Sequence, residues 1–309
     1  MGWLIKKHEA SLTDCGCYPG ARPLKEYIKN GVIILDKPSG PTSNQVDNWV
    51  KQLLNIKKCS HAGTLDPRAS GVLLIAIENA TKLMPILLSS KKEYVGIIRL
   101  HEDVDKEKIQ KVFKDFKGKV KQLPPLKSAV ARRVREREIY YLEILEIDGK
   151  NILFKVGCEA GFYVRNLAVD VGKKLGVKSH LQELRRTKSG SFTEKSVITL
   201  QNLFDAVEEE RIKEAVHPME IAVESIGKVI VSDTAIGNIT NGSPLYVRGI
   251  SRLEDSIRKG EWVGMFSLKG ELIAIGKASM DSKDILKKNK GLAIKVDRVL
   301  MKKGTYSSA

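Results

Sequence analysis

Three observations predict an α+β fold in two parts. The chain has 309 residues, more than one small core organises, so two domains of roughly 100–200 residues each are expected. Over residues 1–227, strand-like and helix-like segments mix without regular βαβ alternation, which favours a mixed sheet over a doubly wound one. From residue 228 onward, short strands separated by glycine turns predict a small all-β barrel or sandwich.

Residues 1–30 show no clear period and read as irregular. Ile33-Ile34-Leu35 is a short buried strand, stopped by the turn Asp36-Lys37-Pro38-Ser39-Gly40-Pro41. Thr42-Ser43-Asn44-Gln45 is a capping box, and Val46, Trp49, Val50, Leu53 and Leu54 form the apolar face of the helix behind it. A loop over residues 59–71 leads into a buried strand over 72–77, and residues 94–100 read as another strand. Asp105 caps a helix carrying Ile109, Val112, Phe113 and Phe116, ended by Gly118. Leu123-Pro124-Pro125-Leu126 breaks the chain. Residues 138–147 and 152–158 read as a hairpin through Asp148-Gly149. Val164, Leu167, Ala168, Val171 and Leu175 mark a helix closed by Gly176, and residues 207–228 read as helical. Short strands follow at 229–231, 244–247, 262–268, 272–275 and 292–299.

The chain carries 53 Lys+Arg against 37 Asp+Glu, a net charge of +16. Residues 228–309 hold 15 and 8 of these, or +7, which leaves +9 for the rest. Both parts are basic, so nucleic acid is the first partner to consider and an anionic membrane surface the second. The longest apolar run, Val72–Ile77, is far short of the ~20 residues of a membrane span. The opening MGWLIKKHEA has no apolar leader, and four cysteines make no disulfide scaffold. A cytoplasmic protein is expected. Cys15/Cys17 and Cys59/His61 are spaced too closely for a structural zinc site, so no metal is expected. Phosphate-loop, dinucleotide and zincin motifs are missing from the sequence.

The densest cluster of reactive residue types is His61-Ala62-Gly63-Thr64-Leu65-Asp66-Pro67-Arg68-Ala69-Ser70-Gly71. Asp66 suits a nucleophile or general base. It equally suits a helix cap, because Asp-Pro commonly starts a helix. Tyr94 opens a strand, where a half-buried aromatic is ordinary. Arg165 sits in the first turn of a helix, where the dipole disfavours a cation; a partner anion or a solvent-facing side chain both explain it. Leu184-Arg185-Arg186-Thr187-Lys188-Ser189-Gly190 suits phosphate contacts, as do Arg132, Arg133, Arg135 and Arg137, although such runs are usually solvated.

Taken together, HAGTLDPRASG at His61–Gly71, GVIILDKPSGPTS at Gly31–Ser43, KEYVG at Lys92–Gly96, GFYVR at Gly161–Arg165 and LRRTKSG at Leu184–Gly190 resemble the TruB family of pseudouridine synthases. The opening RPLKEY at Arg22–Tyr27 and CEAG at Cys158–Gly161 resemble its archaeal and eukaryotic dyskerin branch, the catalytic subunit of H/ACA ribonucleoproteins. The C-terminal part resembles a PUA RNA-binding domain, a small all-β pseudo-barrel. Long Lys-rich tails of eukaryotic members are not seen, which points to an archaeal member. The resemblance implies an N-terminal extension over 1–30 packing on the PUA domain, a catalytic domain over 31–227, a PUA domain over 228–303 and a tail over 304–309.

It implies isomerisation of uridine to pseudouridine without a cofactor. Asp66 would be the nucleophile, on ribose or on uracil. Tyr94 would lie beneath the flipped base, and Arg165 would pair with Asp66, which burial would otherwise neutralise. Leu184 would close the pocket, His61 would help evert the base, and Lys37 would join the pocket. Arg132, Arg133, Arg135, Arg137, Arg185, Arg186 and Lys188 would grip RNA. The implied partners are H/ACA guide RNA, rRNA, tRNA through uridine 55 of the T-loop, and small accessory proteins. A scaffold that binds RNA without catalysis is the competing reading.

Overall fold

The computed structural model describes residues 2–12, 14–124 and 131–306. Two sheets organise the molecule. The larger runs His217–Pro218, Gly31–Lys37, Ser70–Ile77, Ser179–Ser189, Lys92–Leu100, Asn151–Cys158, Arg135–Asp148 and Gly118–Gln122, with Cys59–His61 and Phe192–Thr193 paired alongside. Along that path only Ser70–Ile77 and Ser179–Ser189 pair in parallel, through Ser70–Arg185 and Gly71–Arg186. The rest is antiparallel, as an α+β chain with short connections requires.

One face of this sheet is covered by helices Ser43–Leu53, Lys106–Lys114, Val164–Leu175 and Leu200–Glu208, which bury Val46, Ile109, Leu167 and Leu203 against Leu35, Ile98 and Phe154. The opposite face of its first strands, with Val32, Ile34, Val72 and Leu74, packs against Phe266, Leu272 and Ile275 of the second sheet. An apolar core therefore joins the two bodies. Arg22 adds a charged tie: it donates to Glu220 at 2.6 and 3.0 Å, and Glu220 Oε1 accepts from the Leu272 amide at 3.0 Å.

The second sheet runs Trp3–Ile5, Ile250–Glu254, Gly227–Val231, Trp262–Phe266, Leu272–Ala278, Leu292–Val299 and Leu245–Tyr246. Two short helices, Asp233–Thr240 and Ser282–Lys287, accompany its strands.

Several sequence expectations need correction. Residues 1–30 are not irregular throughout: Trp3–Ile5 pairs with Ile250–Glu254, and Leu24–Lys29 is helical. The helix expected over 207–228 is broken, because Glu210 takes a left-handed φ of 55° that no helix continues through. Leu200–Glu208 and Ile212–Ala215 lie on either side of it. Gly118–Gln122, Ser179–Ser189 and Ile250–Glu254 are strands that no apolar alternation in the sequence marks. The Thr42 capping box forms as expected, but Trp49 of the expected apolar face is 42% exposed. Tyr306, placed in a tail, is buried and donates to Glu271 at 2.7 Å. The expected break at Pro125-Leu126 and residues 307–309 of that tail lie outside the described residues.

Gly71 has the tightest backbone approach in the reactive loop. Its φ is +100°, and a Cβ there would lie 2.2 Å from the Arg186 carbonyl oxygen across the parallel pair. Gly71→Ala is expected to destabilise by roughly 3 kcal/mol or more, combining strain with overpacking. Gly40, at φ +119°, has nothing within 4 Å of its Cβ site. Gly40→Ala should therefore cost only the strain, about 1–3 kcal/mol. Urea midpoints of the two variants check this; equal losses would contradict it.

Candidate active site

The reactive loop is held from beneath by buried donors. Lys37, fully buried, donates to the carbonyls of Pro38, Pro67 and Ala69 at 2.8, 3.1 and 2.8 Å. Ser43 Oγ exchanges hydrogen bonds with the Leu65 carbonyl and amide, both at 3.0 Å. Arg186, 1% exposed, donates to the Val72 carbonyl at 2.7 Å and the Gly63 carbonyl at 3.0 Å. Gly40 N donates to the Pro67 carbonyl at 2.8 Å. Buried carbonyls need such partners. With them, the backbone on both sides of Asp66 is fixed while its side chain stays outward.

Asp66 meets Arg165 in a direct ion pair. The expected burial of Asp66 is not found: the two side chains are 51% and 49% exposed. Both line a cleft of about 510 Å³ with Leu184, Val169 and His180. The dipole argument against Arg165 is thus answered by a carboxylate.

Tyr94 is buried, on the strand beside Leu184 and opposite Arg186. Burial raises its phenol above the ordinary value, and the facing Arg186 charge pulls the other way. Gly96, opposite Leu184, leaves no room for a Cβ, which would meet the Glu183 carbonyl at 2.8 Å. His61 has both ring nitrogens occupied: Nδ1 lies 2.7 Å from Asp47 Oδ2 and Nε2 lies 3.1 Å from Thr64 Oγ1. Asp47 was not foreseen; its place near the start of a capped helix gives no sign of a partner fourteen residues on.

Two expected roles are corrected, those of Lys37 and Arg186. Lys37 does not line the pocket, since its amine is consumed by loop carbonyls. Arg186 is no phosphate contact, since it lies inside the protein and braces the loop. Arg185 is engaged with both oxygens of Asp36 at 2.9 Å and with Glu194, so its charge is already answered. Arg137 pairs with Glu159 at 3.3 Å and lies over Gly161. Arg132, Arg133 and Lys188 are exposed, and Arg135 is half-buried. Among the described residues no His/Cys/Asp/Glu cluster suits a metal, and no helix is long and apolar enough to cross a membrane.

Lys92 lies beside this brace, almost fully buried, donating to the Ser90 carbonyl at 2.8 Å. Burial, aided by the Arg186 charge, lowers its pKa from 10.5 to about 7. Between those values the unfolded chain binds a proton that the folded chain does not. Stability should therefore rise as pH climbs from about 7 towards 10.5. Below about 7 both states carry the proton, and the contribution is flat. The stability difference between wild type and Lys92→Met, from melting curves at several pH values, should move in favour of the wild type as pH rises above neutrality; parallel pH dependences would refute this.

Known protein families match most of the chain. Residues 51–164 match the TruB family pseudouridylate synthase (N terminal domain). Residues 165–224 match the tRNA pseudouridylate synthase B C-terminal domain, 227–300 the PUA domain and 2–47 the DKCLD domain. The chain is 47% identical to the probable tRNA pseudouridine synthase B of Methanocaldococcus jannaschii, across 98% of this chain and 92% of that protein. It is also 47% identical to the Archaeoglobus fulgidus protein of the same description, across 97% and 95%. Among solved structures it resembles a chain of a Cbf5-Nop10-Gar1 complex, with TM-score 0.91 and 46% identity across 99% of this chain and 95% of that one. It also resembles a chain of an H/ACA RNP bound to a substrate RNA containing 2'-deoxyuridine, with TM-score 0.91 and 43% identity across 99% and 96%.

Proposed function

The chain belongs to the TruB family of pseudouridylate synthases, and from that premise we propose that Asp66 is its nucleophile, working in the cleft it shares with Arg165 and Leu184. The family reaction isomerises uridine to pseudouridine in RNA. The bond from ribose C1′ to uracil N1 breaks, a bond from C1′ to C5 forms, and the C5 proton is lost as N1 regains one. No atom is gained or lost overall.

The observation that carries this reading is the Asp66–Arg165 pair at the open side of a cleft, on a loop braced by buried cations. A nucleophile must be fixed yet reachable. Arg165 aims the carboxylate, and Lys37 and Arg186 hold the backbone that bears it. A base stacked in folded RNA must leave the stack to reach it. Tyr94 then supplies a face beneath the base, Leu184 covers the ring, and His61, oriented by Asp47, flanks the entry. Arg132, Arg133, Arg135, Arg137 and Lys188 grip flanking phosphates in this reading.

Relatives of this chain were solved with Nop10, Gar1 and substrate RNA, and others are described as tRNA enzymes. We extend both to this protein: guided modification of rRNA in an H/ACA particle with small accessory proteins, and modification of uridine 55 in the tRNA T-loop. The catalytic part then spans 31–227 and the PUA domain 228–303, with the N-terminal segment against the latter, in a cytoplasmic setting.

Tritium release from RNA labelled at uridine C5 tests the proposal, with and without guide RNA and partners. Release only with guide and partners assigns the particle. Release from bare tRNA assigns the stand-alone activity as well. RNA binding without release under either condition would leave only an RNA scaffold.

A further inference from the structure

The edge strand Gly118–Gln122 buries one side chain, and it is an amide: Gln122 is 5% exposed. Among the described residues the strand pairs only with Arg135–Asp148, at the rim of the larger sheet. A strand packed for stability alone would bury an apolar side chain there, because a buried amide has to find partners.

Gln122 finds both partners on one residue of another element. The Tyr163 amide donates to Gln122 Oε1 at 2.9 Å, and Gln122 Nε2 donates to the Tyr163 carbonyl at 3.0 Å. A backbone N–H only donates and a carbonyl only accepts, so a single orientation of the side-chain amide satisfies the two. Beside it, Asn166 Nδ2 donates to the Leu123 carbonyl at 2.8 Å. The strand end and the turn over residues 163–166 are therefore joined at three points.

Tyr163 is the N-cap of the Val164–Leu175 helix, and its side chain makes no capping bond. Its carbonyl also accepts from the Asn166 and Leu167 amides at 3.1 and 3.3 Å, so Gln122 grips the group on which the first turn is built. Arg165 is the second residue of that helix. Among the described residues its guanidinium has Asp66 as its hydrogen-bond partner, and 49% of the side chain is exposed. The helix dipole works against a cation at this position. Arg165 is thus placed by the backbone that bears it. Lys37, Ser43 and Arg186 brace the Asp66 half of the pair; Gln122 braces the other half.

We infer that Gln122 is a positioning residue for the isomerisation: by clamping the amide and the carbonyl of Tyr163 it fixes the start of the Val164–Leu175 helix, and with it the aim of Arg165 at Asp66. This role rests on the reading that Arg165 aims a nucleophilic Asp66.

Gln122→Met keeps most of the volume and removes both contacts. Tritium release by the full chain, with the RNA and partners that support turnover, is followed at a temperature where the variant is fully folded. A shift near 1 Å can cost about 10²-fold, so kcat should fall by about that factor while KM changes little. Gln122→Glu keeps the shape and the acceptor but sets an oxygen against the Tyr163 carbonyl, and it should lower kcat in the same way. Arg165→Ala supplies the decisive background. Alone it should lower the single-turnover rate at least as far as Gln122→Met does. Adding Gln122→Met to it should cost less than about twofold more, because residues acting through one contact are not additive.

If Gln122→Met and Gln122→Glu stay folded with wild-type kcat while Arg165→Ala is impaired, the clamp is overturned and the Asp66–Arg165 reading stands. A full further loss in the Arg165→Ala background also overturns it, since Gln122 would then act on another part of the site. Wild-type turnover by Arg165→Ala overturns both the clamp and the reading beneath it.

Discussion

Asp66→Asn is expected to abolish isomerisation while RNA affinity stays nearly intact. The amide keeps the size and shape of the carboxylate but is a far poorer nucleophile. Loss of a nucleophile lowers kcat by a factor on the order of 10⁴ or more. Folding should change little. The Asp66–Arg165 pair is about half exposed on both sides, and such pairs contribute roughly 0–1 kcal/mol. Asp66→Glu completes the argument. It keeps the charge and moves it by one methylene, and a displacement near 1 Å can cost about 10²-fold. Tritium release and filter binding on one RNA separate rate from affinity. An Asn variant with more than a small fraction of wild-type turnover would remove Asp66 from its assigned role.

The reactive loop was readable because its residue types are unusual together: two glycines, an Asp-Pro step, a His and an Arg within eleven residues. The local elements that bury an apolar stripe, such as Val164–Leu175, were readable for the same reason; period and caps are local signals. What escaped was long-range. The strand Ser179–Ser189 carries His180, Gln182, Glu183, Arg185, Arg186 and Lys188, so it shows no apolar alternation, although it lies at the centre of the larger sheet. Its arginines therefore looked like a surface run. Only pairing with Ser70–Ile77 and Lys92–Leu100 turns Arg186 inward and sets Arg185 against Asp36. Lys37 misled in the same way: a lysine in a Pro/Gly turn reads as exposed, and nothing local announces three carbonyls waiting for it. Glu210 shows the opposite limit, since a left-handed φ at a charged residue has no compositional sign.

Arg186 carries the second large expected effect. Its guanidinium is buried and donates to the Val72 and Gly63 carbonyls while facing Tyr94. Arg186→Met keeps much of the volume and removes both donors. Each buried carbonyl left without a partner costs about 1–3 kcal/mol, so a loss of roughly 2–6 kcal/mol is expected. Removing the cation also relieves Lys92, which burial and Arg186 together hold near a pKa of about 7. The Met variant should therefore be less stable but lose part of the stability gain above neutral pH. Arg186→Lys should fall between, because one ammonium cannot match the fork of a guanidinium. The kinetic consequence separates a brace from a bystander. Gly63 lies in the reactive loop three residues before Asp66, and Tyr94 lies opposite Arg186 in the sheet. If Arg186 positions both, kcat should fall far more than KM rises at a temperature where the variant is fully folded. A variant that stays folded with wild-type kcat would reduce Arg186 to a core residue, and the bracing of the Asp66 loop would then rest on Lys37, Ser43 and the Gly40 amide.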